Sequence, residues 1–435
     1  MNKIDIQMFP ASFGDSFLVT CRGEKNTHIM IDMGFKHTYK NFIRQELKSL
    51  KSNNENISLL VFTHIDEDHI LGGIGFLQDK AGSESTELIG VDEIWYNSYK
   101  HLQFDKKKEM VRKEIEKLHS TLNKIVERGH PREKGVRQVS DISVKQATTL
   151  SGLLYESNYA DIWNKSYAHE AVVVKENKNG LHSISINEEV KLTVLSPNNQ
   201  KLEDLEEEWE EKLSEWGFTD KVPQSEIISD AFEIYMASEI EKKKKKNSSI
   251  STREETIEDI LKKPFIPDGK GINGSSIAFI LEFYDKKVLF LGDSHSATIE
   301  SSLKTLMELE GQSKLEFDAV KISHHGSKHN TSLELLSMIR TPKYIISTNG
   351  RGKGFQHPDI ETLYRIISTD YESRQAENKV IELIFNYKPI HIISKIDIPE
   401  LKEKYMYDIK FTNDISKTAK EETTLITITS ERTNL

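Results

Sequence analysis

Residues 62–73 read FTHIDEDHILGG, and this stretch restricts the possible folds more than any other. His64, Asp66, Glu67, Asp68 and His69 follow directly on the apolar run ISLLVF (57–62) and come just before Gly72 and Gly73. The apolar run reads as a buried strand delivering this loop at its carboxyl end. Open α/β sheets place ligands at such ends, because the strand fixes position while the loop is free to carry functional groups. Three neighbouring carboxylates repel one another unless a cation lies among them. Imidazole and carboxylate are good donors to zinc or manganese, and alternate residues of an extended loop converge on one side. His64, Asp66, Asp68 and His69 are therefore candidate ligands for a pair of divalent ions.

The chain has 435 residues, enough for one large domain with insertions or for several ordinary ones. Its 59 basic and 69 acidic residues give a net charge of −10. That balance argues against a surface that is a nucleic-acid footprint throughout, though it leaves room for a local basic cleft. Cys21 is the single cysteine, which excludes an internal disulfide framework and a cysteine zinc site and fits a reduced cytoplasmic setting. The opening residues MNKIDIQMFPASFGDSF lack a basic region followed by an apolar core, and no run of about 18 apolar residues occurs. A soluble protein with no membrane span is expected.

Alternating apolar residues in IDIQMF, SFLVTC and HIMIDMG predict an opening antiparallel sheet, followed by a helix near 40–50. The spacing of Val111, Ile115, Leu118, Leu122 and Ile125 predicts an amphipathic helix from about Gln103 to Arg128. Composition shifts after the strand-like VKLTVLSPNN (190–199). Leu202, Leu205, Trp209, Leu213 and Trp216 form a helical stripe on an acidic segment, which leads into a run of lysines at 242–246. We read 200–270 as a charged, partly helical insertion, with the lysine run as a solvated loop. Strand patterns resume at SSIAFILEF and continue through VLFLGD, FDAVKISHHGS and PKYIISTNG. KVIELIFNY, IHIISKID and TLITITS then read as further strands. The expected division is 1–199, including a helical excursion at 101–130, then the insertion 200–270, a second half at 271–385, and a strand-rich extension at 386–435.

Three later motifs add to the first loop. Asp293 in FLGDSH ends a strand beside a glycine and is a natural bridging carboxylate between two ions. In SHHGS, His324 and His325 are adjacent; in an extended segment they point to opposite sides, so only one is expected to face the ions. The other is then a proton donor or a supporting group, depending on a bend at Gly326. His357 precedes Pro358 and is sterically held extended. His169, His295 and His329 read as surface residues, and Ser327 lacks the strand-turn-helix setting of a serine nucleophile.

In order, THIDEDHILGG (63–73), LGD (291–293), SHHGS (323–327) and the histidine-proline pair at 357–358 resemble the metallo-β-lactamase fold. With GDS (14–16) and IDMG (31–34), they are similar to the branch that includes the hydrolase-like domain of ComEC-type competence DNA-uptake channels. The resemblance covers roughly 1–100 and 190–370. It implies an α/β, four-layer αββα sandwich, here with a helical insertion. It implies that His64 and Asp66 hold one metal and Asp68 and His69 the other, that Asp293 bridges them, and that His357 is the last metal histidine. His324 or His325 falls where related nucleases place a histidine that protonates the leaving group or completes coordination. Asp66 departs from the histidine usual at that position, which shifts the expected pair of divalent ions from zinc toward manganese or magnesium.

Two such cations activate water for hydrolysis, with Asp68 orienting it and a histidine of the 324–325 pair donating a proton to the departing oxygen. The expected substrate is a phosphodiester in DNA, RNA or a nucleotide. Tyr96, Tyr99, Lys100 and Lys328 are candidate contacts to its backbone or bases. A lactone, thioester or phosphocholine ester is the second expectation. The third is activity within a multi-protein system such as bacterial defence, with a partner docked on 200–270 or on the C-terminal strands.

Overall fold

The computed structural model describes residues 2–81, 88–102, 112–130, 149–156, 159–177, 180–216, 226–239, 256–352, 356–414, 416 and 420–430. The lysine run 242–246 and positions 103–111 of the helix expected from Gln103 to Arg128 lie outside these residues.

Two mixed sheets carry the chain. The first is built from β1 (Lys3–Met8), β2 (Ser16–Arg22), β3 (Asn26–Met33), β4 (Leu59–Val61) and β5 (Ile94–Trp95). The second contains β6 (Ser183–Ser185), β7 (Val190–Ser196), β8 (Ala278–Phe283), β9 (Lys286–Phe290), β10 (Ala319–Lys321), β11 (Lys343–Ile346), β12 (Ile381–Tyr387) and β13 (Tyr407–Asn413). The last strand, β14 (Thr424–Thr429), returns to the first sheet, whose order is β14-β1-β2-β3-β4-β5. The second sheet runs in simple sequence from β13 back to β6. The C-terminal strands thus edge both sheets: Ile4 pairs with Ile428 across β1 and β14, and Leu383 pairs with Ile409 across β12 and β13.

Side-chain alternation accounts for the layers. On β2, Phe17, Val19 and Cys21 join the core between the sheets, while Leu18 joins the core beneath the helices. On β8, Phe279 and Leu281 face between the sheets and Ala278 and Ile280 face outward. Helices cover both outer faces. Ile70, Leu71, Ile74 and Leu77 of helix Glu67–Ala81 pack on the first sheet, and Ile299 and Leu303 of helix Ser296–Glu310 pack on the second. The outcome is the αββα sandwich, with three apolar cores between four layers.

Within 200–270, helices Asn199–Glu215 and Glu226–Glu239 bury Leu202, Leu205, Trp209, Leu213 and Phe232 in the same core as the helix Glu67–Ala81. Trp209 stacks edge-on against Phe232 and Trp216, with ring centroids 5.6 and 5.7 Å away. Tyr96 and Tyr99 belong to this core as well, and both are fully buried. The Tyr96 hydroxyl donates to Glu233 (3.0 Å), and Tyr99 packs on Phe232. Lys100 lies over the Trp163 ring, 3.5 Å from its centroid, and Lys328 pairs with Glu361 (2.8 Å). The expectation that Tyr96 and Tyr99 contact a nucleic acid is corrected: aromatic side chains under the insertion are core. Among the described residues, no helix is long and apolar enough to cross a membrane.

Candidate metal centre

The parallel strands of the two sheets aim their carboxyl ends at one place. β3 and β4 pair in parallel on one sheet, and β9, β10 and β11 pair in parallel on the other. The peptide N–H of Ile277, leading into β8, donates to Thr63 O (2.9 Å) and ties the sheets together beside the loop.

After β4 the chain does not run on as an extended loop. Asp66 O accepts the N–H groups of His69 (2.9 Å) and Ile70 (3.1 Å), so Asp68 and His69 stand in the first turn of helix Glu67–Ala81. Convergence comes from a strand end joined to a helix start, which corrects the expected alternation along an extended loop. The dipole of that helix end favours the acidic residues placed there. His64 and His69 lie with ring centroids 4.2 Å apart, and both are buried.

β9 leads through Leu291 into Gly292, whose φ of +50° and tight fit against Ser276 suit glycine alone; a Cβ would stand 2.4 Å from Ser276 Oγ. Asp293 follows, 1% exposed, with its N–H donated to Ser276 Oγ (2.9 Å).

The histidine pair overturns another expectation. His324 (φ 47°) and His325 (φ 53°) are both left-handed, followed by Gly326 (φ 85°). Such backbone is strained for histidine by on the order of 1–3 kcal/mol per residue and concentrates at functional sites. The turn directs both rings inward, whereas an extended segment would send them to opposite sides. Asp293 Oδ2 consequently lies 3.6 Å from His69 Nε2, 3.7 Å from His325 Nε2, and 3.8 Å from both His64 Nε2 and His324 Nε2.

These separations are too long for hydrogen bonds. The buried Nε2 atoms of His64, His69 and His325 have no hydrogen-bond partner. Donors bound at about 2.0–2.2 Å to one cation sit roughly 3–4 Å from each other, so the residues fit a divalent ion. Donor atoms of His64, His69 and Asp293 lie within 4.8 Å of one another, as do those of Asp68, His69 and His325. Asp66 Oδ2 is 3.6 Å from His64 Nε2, and Asp68 Oδ2 is 3.5 Å from His325 Nε2. His357 is in neither donor group. Its ring packs on His324 (centroids 5.1 Å apart) and its Nδ1 lies 3.2 Å from Asp359.

Electrostatics agree with a site that demands positive charge. Burial alone would raise the Asp293 carboxyl, but His325, His69 and His324 hold it well below the usual range. Burial disfavours charge on His325, yet Asp15 and Asp293 raise it to about 10. His69 is likewise driven up, against burial, by Asp32 and Asp293. Either protons or a cation can supply that charge. His357 is pushed down to about 4, chiefly by burial.

Several participants were not singled out from the sequence. Asp32 accepts from Thr63 N (2.8 Å) and Thr63 Oγ1 (2.7 Å) and meets His69 Nδ1 at 2.7 Å. Asp15 pairs with buried Lys321 and lies 3.3 Å from His325 Nδ1; Ser347 O accepts from that same nitrogen at 2.9 Å. Asp15 and Asp32 stand inside GDS and IDMG, so the motifs held the signal. Asp268 and Asn330, against His324, carried none. His295, expected at the surface, is 8% exposed and packs against Gly274. Ser327 is buried and its hydroxyl accepts from His329 N (3.3 Å).

Residues 10–108 match the family model described as Metallo-beta-lactamase superfamily. Among solved structures, a mutant of the CmlA beta-hydroxylase aligns at 10% identity over 98% of this chain and 53% of its own, with a TM-score of 0.33. The chain therefore spans about half the length of that protein. A protein of unknown function from Enterococcus faecalis V583 aligns at 9% identity over 94% of this chain and 87% of its own, with a TM-score of 0.28. No curated protein matches the sequence. Residues 10–108 are thus similar to the metallo-β-lactamase superfamily, and the matched stretch contains His64, Asp66, Asp68 and His69.

Proposed function

We propose that this protein is a metal-dependent phosphodiesterase acting on DNA, RNA or a nucleotide, in the branch of the fold that ComEC-type channels represent. The observation that carries the metal-dependent reading is the convergence of four imidazole Nε2 atoms on Asp293 Oδ2, three of them without a hydrogen-bond partner. In this reading His64, Asp66, Asp68, His69, Asp293 and His325 hold two divalent ions, with His357 at the rim. Zinc or manganese, with magnesium as a further option, would supply activation of water and neutralisation of charge on the attacked group.

The chain's own residues do the rest. Asp68 accepts a hydrogen bond from the attacking water and orients it. His324, whose side chain is 15% exposed where those of His64, His69 and His325 are 0–1%, meets the solvent side of the site. In its doubly protonated form, with Nδ1–H retained, it donates the Nε2 proton to the departing oxygen, which an alkoxide leaving group requires. Asp32 and Ser347 O hold the far nitrogens of His69 and His325, fixing ring orientation.

A metal-scanned screen against single- and double-stranded DNA, RNA, cyclic nucleotides and bis-p-nitrophenyl phosphate tests this. Cleavage that depends on an added metal and is abolished in Asp68→Ala is the expected result. Turnover of a lactone or thioester with inert phosphodiesters would move the reading to carboxylic esters. A purified chain that binds no divalent metal would defeat both.

A further inference from the structure

The segment closing the insertion returns to the site. Asp268 N donates to His329 O (2.9 Å) and Ile266 O meets His329 Nδ1 (2.7 Å), which places Asp268 Oδ2 3.6 Å from His324 Nδ1. Behind His324 lies Asn330, fully buried. Its Nδ2 faces three oxygens: Asp268 Oδ2 (3.1 Å), Asp293 O (3.2 Å) and Ser294 O (3.3 Å). An amide nitrogen only donates, so these acceptors fix the amide's orientation and leave Oδ1 facing His324 Nδ1 at 3.0 Å. A carbonyl oxygen only accepts, so that ring nitrogen must carry the proton. The Asn273 amide, 3.3 Å from the same nitrogen, is drawn instead to Asp268 Oδ2 at 2.5 Å.

We propose that Asn330 and Asp268 are positioning residues that hold His324 with its proton on Nδ1, making Nε2 the atom through which His324 meets substrate or cation. An orienting partner on the second ring nitrogen sets which nitrogen is available. Asp268 closes the insertion and Asn330 lies in the segment after it, so the insertion's last residues take part in setting the site's chemistry. The positional claim stands on geometry alone, and only its kinetic consequence rests on the proposed phosphodiesterase reading.

Nitrogen-15 NMR of the full-length chain, labelled at histidine and stripped with chelator, reads the protonation of each ring nitrogen. The His324 signal is identified by its loss in His324→Gln. In the wild type the neutral ring is expected to carry its proton on Nδ1. Asn330→Leu is expected to release it toward the Nε2-protonated form, and Asn330→Asp to retain it. Asp268→Ala, at a side chain that is 9% exposed, is expected to shift the population part of the way. A wild-type ring protonated on Nε2, or a ring unchanged in both Asn330→Leu and Asp268→Ala, would overturn the proposal. Kinetically, Asp268→Ala is expected to lower kcat roughly 10- to 100-fold for an alkyl phosphodiester, and much less for a p-nitrophenyl diester that leaves unaided, with KM little changed. Equal losses on both substrates would count against it. Absence of any wild-type phosphodiesterase activity would remove the proposed function while the NMR result still decides the positioning.

Discussion

Asp32 Oδ2 lies 2.7 Å from His69 Nδ1, and Asp32 reaches it from a left-handed backbone position (φ 52°) near the end of β3. A carboxylate on Nδ1 turns Nε2 toward Asp293 and makes the ring a stronger donor. Asp32→Asn is therefore expected to reduce divalent-metal affinity about 10- to 100-fold while the fold persists. Competition with a chromophoric chelator measures it; wild-type affinity would show that His69 needs no such partner.

Gly14 packs against the metal loop so tightly that an added Cβ would stand 2.0 Å from Asp68 O. The neighbouring Asp15 N–H donates to that same oxygen (3.3 Å). Gly14→Ala must displace either the β1–β2 turn or the first turn of the following helix, at a cost of about 1–3 kcal/mol. The expected result is lower metal occupancy together with a lower unfolding midpoint. Unchanged values of both would show that the turn yields freely.

Asp15 and Lys321 form an ion pair in which each residue is 1% exposed. Removing one partner leaves the other charged and buried, so Asp15→Asn or Lys321→Met alone should cost about 3–5 kcal/mol. The double variant is expected to recover much of that loss. Urea unfolding of the set decides it, and a double variant as damaged as the sum of the singles would refute the pairing account.

His130 lies fully buried between Glu233 (3.3 Å) and Glu67 (3.6 Å), linking the helical region to the metal loop. Burial alone would lower its pKa, but hydrogen bonds and charge from the two glutamates raise it from 6.5 to about 9. Since the folded value lies above the unfolded one, the stability it contributes is full below pH 6.5 and is lost as pH rises through 9. The loss across that window is of order 3 kcal/mol. His130→Gln should flatten the slope in denaturation curves taken between pH 6.5 and 9; an unaltered slope would place the effect elsewhere.

The sequence by itself determined the strand that delivers the acidic loop, the alternation that builds the layers, and the chemical identity of the donors. Two-residue periodicity and short-range motifs are local properties, so ISLLVF, HIDEDH and SHHGS were legible without a fold. The helical stripe through Leu202, Leu205, Trp209 and Leu213 was legible for the same reason. Only the tertiary structure decided which rings meet. The left-handed turn at His324 and His325 aims both at Asp293, because a backbone strain held by surrounding packing has no signature in residue type. Tyr96 and Tyr99 look like binding residues in one dimension and are core in three, since burial depends on what folds over them. Asp268 reaches His324 from the end of the insertion, a proximity that the fold creates and that no local pattern of residues encodes.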